Sequence, residues 1–216
     1  MASPLSGAAR WLALGDSYTV GEGVAAAERW PERVAERLRS GGAAWTPPRV
    51  LAATGWTTDE LLAAMARERV WPVTQRFALV SLMVGVNDQY RGRDAAAFAR
   101  SFGECLERAM ALASDASARV LVVSIPDWGV TPFAVGRDRE AIARDVDAFN
   151  AIERARVEGA GAHWCDVTAL SRRHGSDPAF LAADGLHPGP AAYAAWAELL
   201  APVAGTAMGG RAPTTL

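Results

Sequence analysis

Lysine is absent from this chain, and all 22 of its Lys or Arg positions are arginine. A nucleotide-binding P-loop needs a lysine to reach the phosphates, so the missing residue excludes that class. The arginines are spread among 24 acidic residues and the formal net charge is −2. Because nucleic-acid binding needs clustered basic residues, we expect no nucleic-acid partner.

Cysteine and long hydrophobic runs are also scarce. Cys105 and Cys165 form no metal-ligand or redox spacing and fall in apolar patterns, which indicates buried free thiols. No run approaches membrane-spanning length, and residues 1–10 lack a charged start followed by a long apolar stretch. We therefore expect a soluble, cytoplasmic protein without a membrane span.

Half of the residues are hydrophobic and 21% are charged, which is enough for a sizeable core. With no linker between two cores, the sequence predicts one domain over 1–204 and a flexible C-terminal tail over 205–216.

Short apolar runs alternate with helical patterns along the chain. This alternation predicts an α/β fold: a three-layer sandwich with a five-stranded parallel sheet covered on both faces. The favoured strand order is the flavodoxin-like 2-1-3-4-5. The predicted strands are 11–14, 50–53, 77–84, 120–125 and 163–167.

In that order the first strand lies between the second and the third, so their carboxyl ends meet at one crevice. The chain places Gly15-Asp16-Ser17-Tyr18, Gly55 and Asn87 just past these three strand ends. Each of these residues is also an ordinary turn former, and on its own that role is the simpler explanation. Their convergence predicts a site that contains Ser17.

A serine hydroxyl becomes a good nucleophile only when a base takes its proton, and the chain has three histidines. His163 opens a predicted buried strand and is expected to be structural, while His174 is expected to be solvated surface. His187 follows Asp184 by three residues and precedes Pro188. One tight turn could hold the carboxylate against Nδ1 and leave Nε2 facing a serine. The alternative is a helix-start turn with Asp184 near the cap.

Acyl transfer also needs hydrogen-bond donors for the tetrahedral oxyanion. The candidates are the backbone N–H groups of Ser17 and Gly55 and the side-chain amide of Asn87. Glycine at position 55 leaves room for the oxyanion, and the amide donates without competing as a base.

Taken together, these segments resemble the SGNH (GDSL-type) hydrolase family over about residues 11–203. The resemblance implies a serine esterase with Ser17 as nucleophile, His187 as base and Asp184 as orienting carboxylate. Ser17, Gly55 and Asn87 would line the oxyanion hole, with no metal or other cofactor. The implied partner is a small-molecule ester with a short-chain acyl group, and some members are thioesterases, lysophospholipases or carbohydrate deacetylases. Tyr18 stands where the motif that names the family has leucine.

Two rival interpretations stay open. The stretch 21–26 matches the Gly-x-Gly-x-x-Ala pattern of a nucleotide-binding module, although it does not follow a strand directly. A sugar-binding or structural relative with an inactive site is the other rival. The Gly-x-Ser-x-Gly elbow of α/β-hydrolases is absent, which argues against the α/β-hydrolase fold.

Aromatic residues near the carboxyl edge are candidates for a substrate pocket: Trp56, Tyr90, Trp128 and Phe133. Because aromatics also dominate protein cores, each could equally be ordinary packing. The connection 127–138 is a candidate lid.

Overall fold

The computed structural model describes residues 8–114 and 116–207. Its strands form one five-stranded parallel sheet with the order β2-β1-β3-β4-β5. This confirms the predicted fold and strand order. The strands are β1 Trp11–Gly15, β2 Arg49–Ala52, β3 Leu79–Met83, β4 Val120–Val123 and β5 His163–Cys165.

Helices cover both faces of the sheet. On one face α2 packs against α8, and on the other α5 packs against α3 and α6. Short 3-10 turns lie at 26–28, 117–119, 128–130, 132–134 and 178–180. The helices are α1 Ser17–Val20, α2 Trp30–Ser40, α3 Thr58–Arg67, α4 Val86–Tyr90, α5 Ala95–Leu112, α6 Arg139–Gly159, α7 Thr168–His174 and α8 Pro190–Ala207.

Local capping explains where the longer helices begin. Thr57 and Glu60 form a reciprocal capping box at the start of α3. Asp94 and Asp138 accept a backbone N–H three residues on and so begin α5 and α6. Helix α8 continues through Gly205, beyond the end predicted for the domain, and residues 208–216 of the predicted tail lie outside the described residues.

The core is built from apolar side chains of the sheet and of both helix layers. Trp11 on β1 lies 5.8 Å from Trp30 on α2, between ring centroids. Phe98 on α5 stacks on Phe149 of α6 at 4.4 Å. Cys105 and Cys165 are buried free thiols, as predicted, and burial raises the pKa of Cys165 to about 12. Over the described part of the chain, no helix is both long and apolar enough to cross a membrane.

Gly15, the last residue of β1, is confined by its neighbours. A Cβ at this position would lie 2.2 Å from Thr19 Oγ1 and 2.4 Å from the Met83 carbonyl oxygen. Only glycine therefore lets β1 pass so close to β3 and turn directly into α1.

We predict that Gly15→Ala lowers the free energy of unfolding by about 1–3 kcal/mol, because the added methyl group has no space. Urea denaturation measures the change. Gly159→Ala is the matched control, since open space surrounds that position at the end of α6, and its stability should equal or slightly exceed that of wild type. Equal stability of the two variants would contradict the steric argument.

Candidate active site

Ser17 is the first residue of α1, and only Asp16 separates it from the end of β1. Asp16 caps this short helix, and its Oδ1 accepts from the backbone N–H of Tyr18 at 3.0 Å. The hydroxyl of Tyr193 on α8 donates to the carbonyl oxygen of Tyr18 at 3.0 Å. These contacts hold the turn that carries Ser17, which is 4% exposed and borders a cleft.

The Asp16 carboxyl group also lies close to the end of a second strand. Besides the hydrogen bond from Tyr18, the backbone N–H groups of Asp16 itself and of Gly85, which follows β3, lower its pKa. Burial raises the pKa of Asp16 to about 7 against the lowering effect of these donors, and the charge of Asp88 adds to the rise. The turn that carries Ser17 thus lies beside the turn that leads to Asn87.

Asn87 lies in α4, and its Nδ2 donates to the carbonyl oxygen of Trp56 at 2.9 Å. An amide nitrogen carries two hydrogens, so this bond leaves one N–H for the cleft. The next residue, Asp88, is fully buried and accepts from Thr58 N at 2.9 Å and from Arg93 Nη1 at 3.0 Å. Helix α4 is therefore joined to the start of α3.

His187 and Asp184 share one tight turn before α8. His187 Nδ1 lies 2.5 Å from Asp184 Oδ2, while Asp184 Oδ1 accepts from the backbone N–H groups of Leu186 and His187 at 2.9 and 3.0 Å. Partial burial opposes ionisation of Asp184, but the hydrogen bonds from His187 and Leu186 outweigh it and lower the pKa of that carboxyl. With Nδ1 engaged in this way, Nε2 is the ring nitrogen left for other contacts.

One cleft brings most of the predicted site residues together. Its volume is about 560 Å³, with its open mouth included. Its lining consists of Ser17, Tyr18, Thr54, Gly55, Val86, Asn87, Tyr90, Trp128, Phe133, Leu186 and His187.

Trp56 is not among the residues that line this cleft, so its place in the substrate pocket stays a prediction. Its ring lies under the guanidinium of Arg67, 5.9 Å from the ring centroid. Its backbone carbonyl oxygen is the acceptor for the Asn87 amide.

The other two histidines lie outside this cleft. His163 Nε2 lies 2.9 Å from the carbonyl oxygen of Ala118, in keeping with a structural role. His174 stacks on Phe180 at 4.1 Å and lines a neighbouring apolar cavity, so its side chain is only partly solvated, where a solvated surface position was expected. The aromatic partner, six residues further along the chain, explains its partial burial.

The predicted lid is held in place near its first residue. Asp127 accepts from Arg172 Nε at 2.9 Å, and its own N–H donates to Ser171 Oγ at 2.8 Å. Trp128 and Ala134 of the same connection are buried. Opening the whole connection would break these contacts, which argues against a free lid.

The sequence reasoning missed Glu153, a carboxyl group on α6 behind the site. Its side chain is fully buried, and neither carboxyl oxygen has a hydrogen-bond partner. Oε1 lies 2.9 Å from where a Cβ on Gly85 would be. Burial raises the pKa of Glu153 well above its ordinary value, and the charges of Asp16 and Asp88 add to the rise. Its place on the apolar stripe of α6, four residues after Phe149, was the signal that could have found it.

The rival nucleotide-binding pattern lies in a different context from the fingerprint. Gly21 ends α1 in the left-handed conformation, so the pattern follows a short helix and not a strand. Among residues 8–114 and 116–207, no group of three or more His, Cys, Asp or Glu side chains could hold a metal ion.

A model of the GDSL-like lipase/acylhydrolase family matches residues 13–195. Among solved structures, TesA has a TM-score of 0.70 at 23% identity, covering 92% of this chain and 99% of its own. The psychrotrophic esterase EstA from Pseudoalteromonas sp., inhibited by monoethylphosphonate, has a TM-score of 0.67 at 16% identity, and the match covers 88% of this chain and 93% of EstA. The acetyl xylan esterase AlAXEase has a TM-score of 0.69 at 17% identity, and the match covers 88% of this chain and 97% of AlAXEase. No curated protein matches the sequence.

We predict that Glu153→Gln makes the free energy of unfolding less sensitive to pH. The native Glu153 keeps a proton that the unfolded chain releases above its ordinary pKa, so wild-type stability falls as pH rises toward the raised native pKa. The raised pKa of Asp16 likewise lowers the free energy of unfolding as pH rises, up to about pH 7. The stability of the variant relative to wild type should grow by up to about 1.4 kcal/mol per pH unit.

Urea denaturation at several values between pH 5 and pH 8 measures this difference. Glu158→Gln is the matched control, because this carboxylate is exposed on the same helix. A constant difference between Glu153→Gln and wild type over that range would show that Glu153 is ionised in the native protein.

Proposed function

The chain belongs to the GDSL-like lipase/acylhydrolase family of carboxylic ester hydrolases, and we propose that it cleaves small or short-chain acyl esters at Ser17. One observation carries the proposal. Ser17, Gly55, Asn87 and the ring of His187 border the same cleft, although they come from four separate segments.

The proposed reaction is a two-step acyl transfer. Ser17 Oγ attacks the ester carbonyl while His187 Nε2 takes the hydroxyl proton. The alcohol leaves with that proton and an acyl-enzyme remains. Water then attacks the acyl-enzyme with His187 as base, and the acid is released. Asp184 holds the ring through Nδ1 and favours the imidazolium that forms, in line with the 2.5 Å contact.

Three donors would stabilise the oxyanion: the N–H groups of Ser17 and Gly55 and the free N–H of Asn87. Gly55 has a φ of 85°, a conformation that side chains disfavour. The hydrogen bond to the Trp56 carbonyl fixes the Asn87 amide before substrate arrives. Such pre-arranged donors lower the barrier because they need no reorganisation during the reaction.

The cleft lining favours an apolar acyl group over a sugar. Apart from Ser17, His187 and Asn87, the polar groups of the lining are the hydroxyls of Thr54, Tyr18 and Tyr90, and the other lining side chains are apolar or aromatic. A carbohydrate would need more hydrogen-bonding partners than this wall offers. Sugar-acetate hydrolysis therefore ranks below hydrolysis of simple esters, whereas thioesters and lysophospholipids carry apolar acyl groups that this lining fits equally well.

We predict that Ser17→Ala abolishes hydrolysis of 4-nitrophenyl esters while the thermal midpoint stays near wild type. Because the hydroxyl would form the covalent bond, wild type should gain one adduct with an alkyl fluorophosphonate, and the variant none, by intact mass spectrometry. Ser176→Ala, at an exposed position, is the matched control. Turnover by the Ser17 variant would remove this residue from the mechanism.

For Asn87→Ala we predict a loss of about 100- to 1000-fold in kcat, the usual effect of removing one oxyanion donor. KM should change far less, since the donor acts chiefly on the charge that develops in the transition state. Steady-state kinetics with 4-nitrophenyl acetate measures both constants. A kcat within threefold of wild type would exclude the amide from the oxyanion hole.

A further inference from the structure

Three rings form one wall of the cleft, and we call Tyr90, Trp128 and Phe133 the aromatic wall. Tyr90 lies 5.4 Å from Trp128 and 6.3 Å from Phe133, and Trp128 lies 6.1 Å from Phe133, all between ring centroids. Trp128 is buried, whereas the other two rings are partly exposed. Two of the three rings therefore need support to keep one position.

The guanidinium of Arg137 lies over all three rings, 5.2 Å from the centroids of Tyr90 and Phe133 and 5.5 Å from that of Trp128. Its Nη2 donates to the Tyr90 hydroxyl at 3.0 Å. Arg137 is exposed and is not itself among the residues that line the cleft. A planar cation at this distance attracts ring faces and suits stacking better than lysine does.

The same connection touches both sides of the proposed site. Trp128 Nε1 donates to Gln89 Oε1 on α4 at 2.8 Å, two residues after Asn87. The backbone N–H of Phe133 donates to the carbonyl oxygen of Gly185 at 3.1 Å, inside the turn of His187. The wall thus spans the cleft from the oxyanion side to the base side.

We propose that Arg137 is a positioning residue for substrate selection: it clamps the aromatic wall, against which the acyl chain of the ester lies. This inference rests on the proposed function. An acetyl group is too short to use the wall fully, whereas a six-carbon acyl chain would bury its methylene groups against the rings. The clamp therefore acts on binding of the longer chain and hardly on the bond-breaking step.

The test compares Arg137→Met with wild type on 4-nitrophenyl acetate and hexanoate. Methionine keeps an apolar stem without the cation. We expect KM for hexanoate to rise about three- to tenfold, which corresponds to the free energy of an exposed cation–π interaction. The kcat for hexanoate should be nearly unchanged, and both constants for acetate should stay within about twofold of wild type. Arg137→Lys, which restores the charge, should recover part of the loss.

Arg144→Met is the matched control, because Arg144 is an exposed arginine whose ion pair is with Glu140 on the same helix. It should resemble wild type on both esters. Equal changes in kcat/KM for acetate and hexanoate in Arg137→Met would overturn the inference, since a general loss of structure has that effect. So would an Arg137→Met profile that matches the control.

Binding without catalysis separates this inference from the proposed function. In the Ser17→Ala background, calorimetry with hexanamide and acetamide should show weaker hexanamide binding when Arg137→Met is added. If wild type hydrolyses no ester but this difference appears, the proposed function fails and the clamp stands. If esters are hydrolysed but the difference is absent, the clamp fails alone.

Discussion

The buried carboxyl group of Asp16 is the group on which the site depends. It accepts the N–H of Tyr18 in the turn after β1, and it lies close enough to Gly85, in the turn after β3, for the N–H of that residue to lower its pKa. This side chain thus lies where the segments of Ser17 and Asn87, which are 70 positions apart in the chain, come together. Removing the carboxyl group would leave the N–H of Tyr18 without its acceptor in a buried turn, which is costly.

The sheet order makes this link possible. Because β1 lies between β2 and β3, the carboxyl ends of all three strands meet at one edge. The imidazole arrives by a different route, since its turn precedes α8, which packs with α2 on one face of the sheet. Tyr193 on α8 hydrogen-bonds to the turn of Ser17, so that helix is held to the same loop. The arrangement is thus secured from within the sheet and from a covering helix.

Apolar runs in the sequence predicted the strand order. Turn residues after the strands, together with the Asp184–His187 spacing, predicted that one cleft is bordered by Ser17, Gly55, Asn87 and His187. Helices α1 and α4 were missed because four or five residues are too few to show a helical period. Side-chain direction was the other gap. Trp56 and Tyr90 both lie near strand ends, yet only tertiary packing decides that one faces Arg67 and the other the cleft. Arg137 gave no periodic signal, because its role comes from stacking between loops.

The carboxyl groups behind the cleft show how the charges of the site are balanced. The charge of Asp88 is balanced by its ion pair with Arg93, and Asp88 also accepts a hydrogen bond from Thr58 N. Glu153 has no hydrogen-bond partner, and burial favours its neutral form. A negative charge at Glu153 would add to those of Asp16 and Asp88, and the sum of these charges would oppose an oxyanion in the cleft. Burying a neutral carboxyl group at this position costs less free energy than burying a carboxylate, and the neutral group does not weaken the electrostatic effect of the oxyanion donors. The same burial that makes Glu153 a poor contributor to stability at high pH thus suits the chemistry proposed for Ser17.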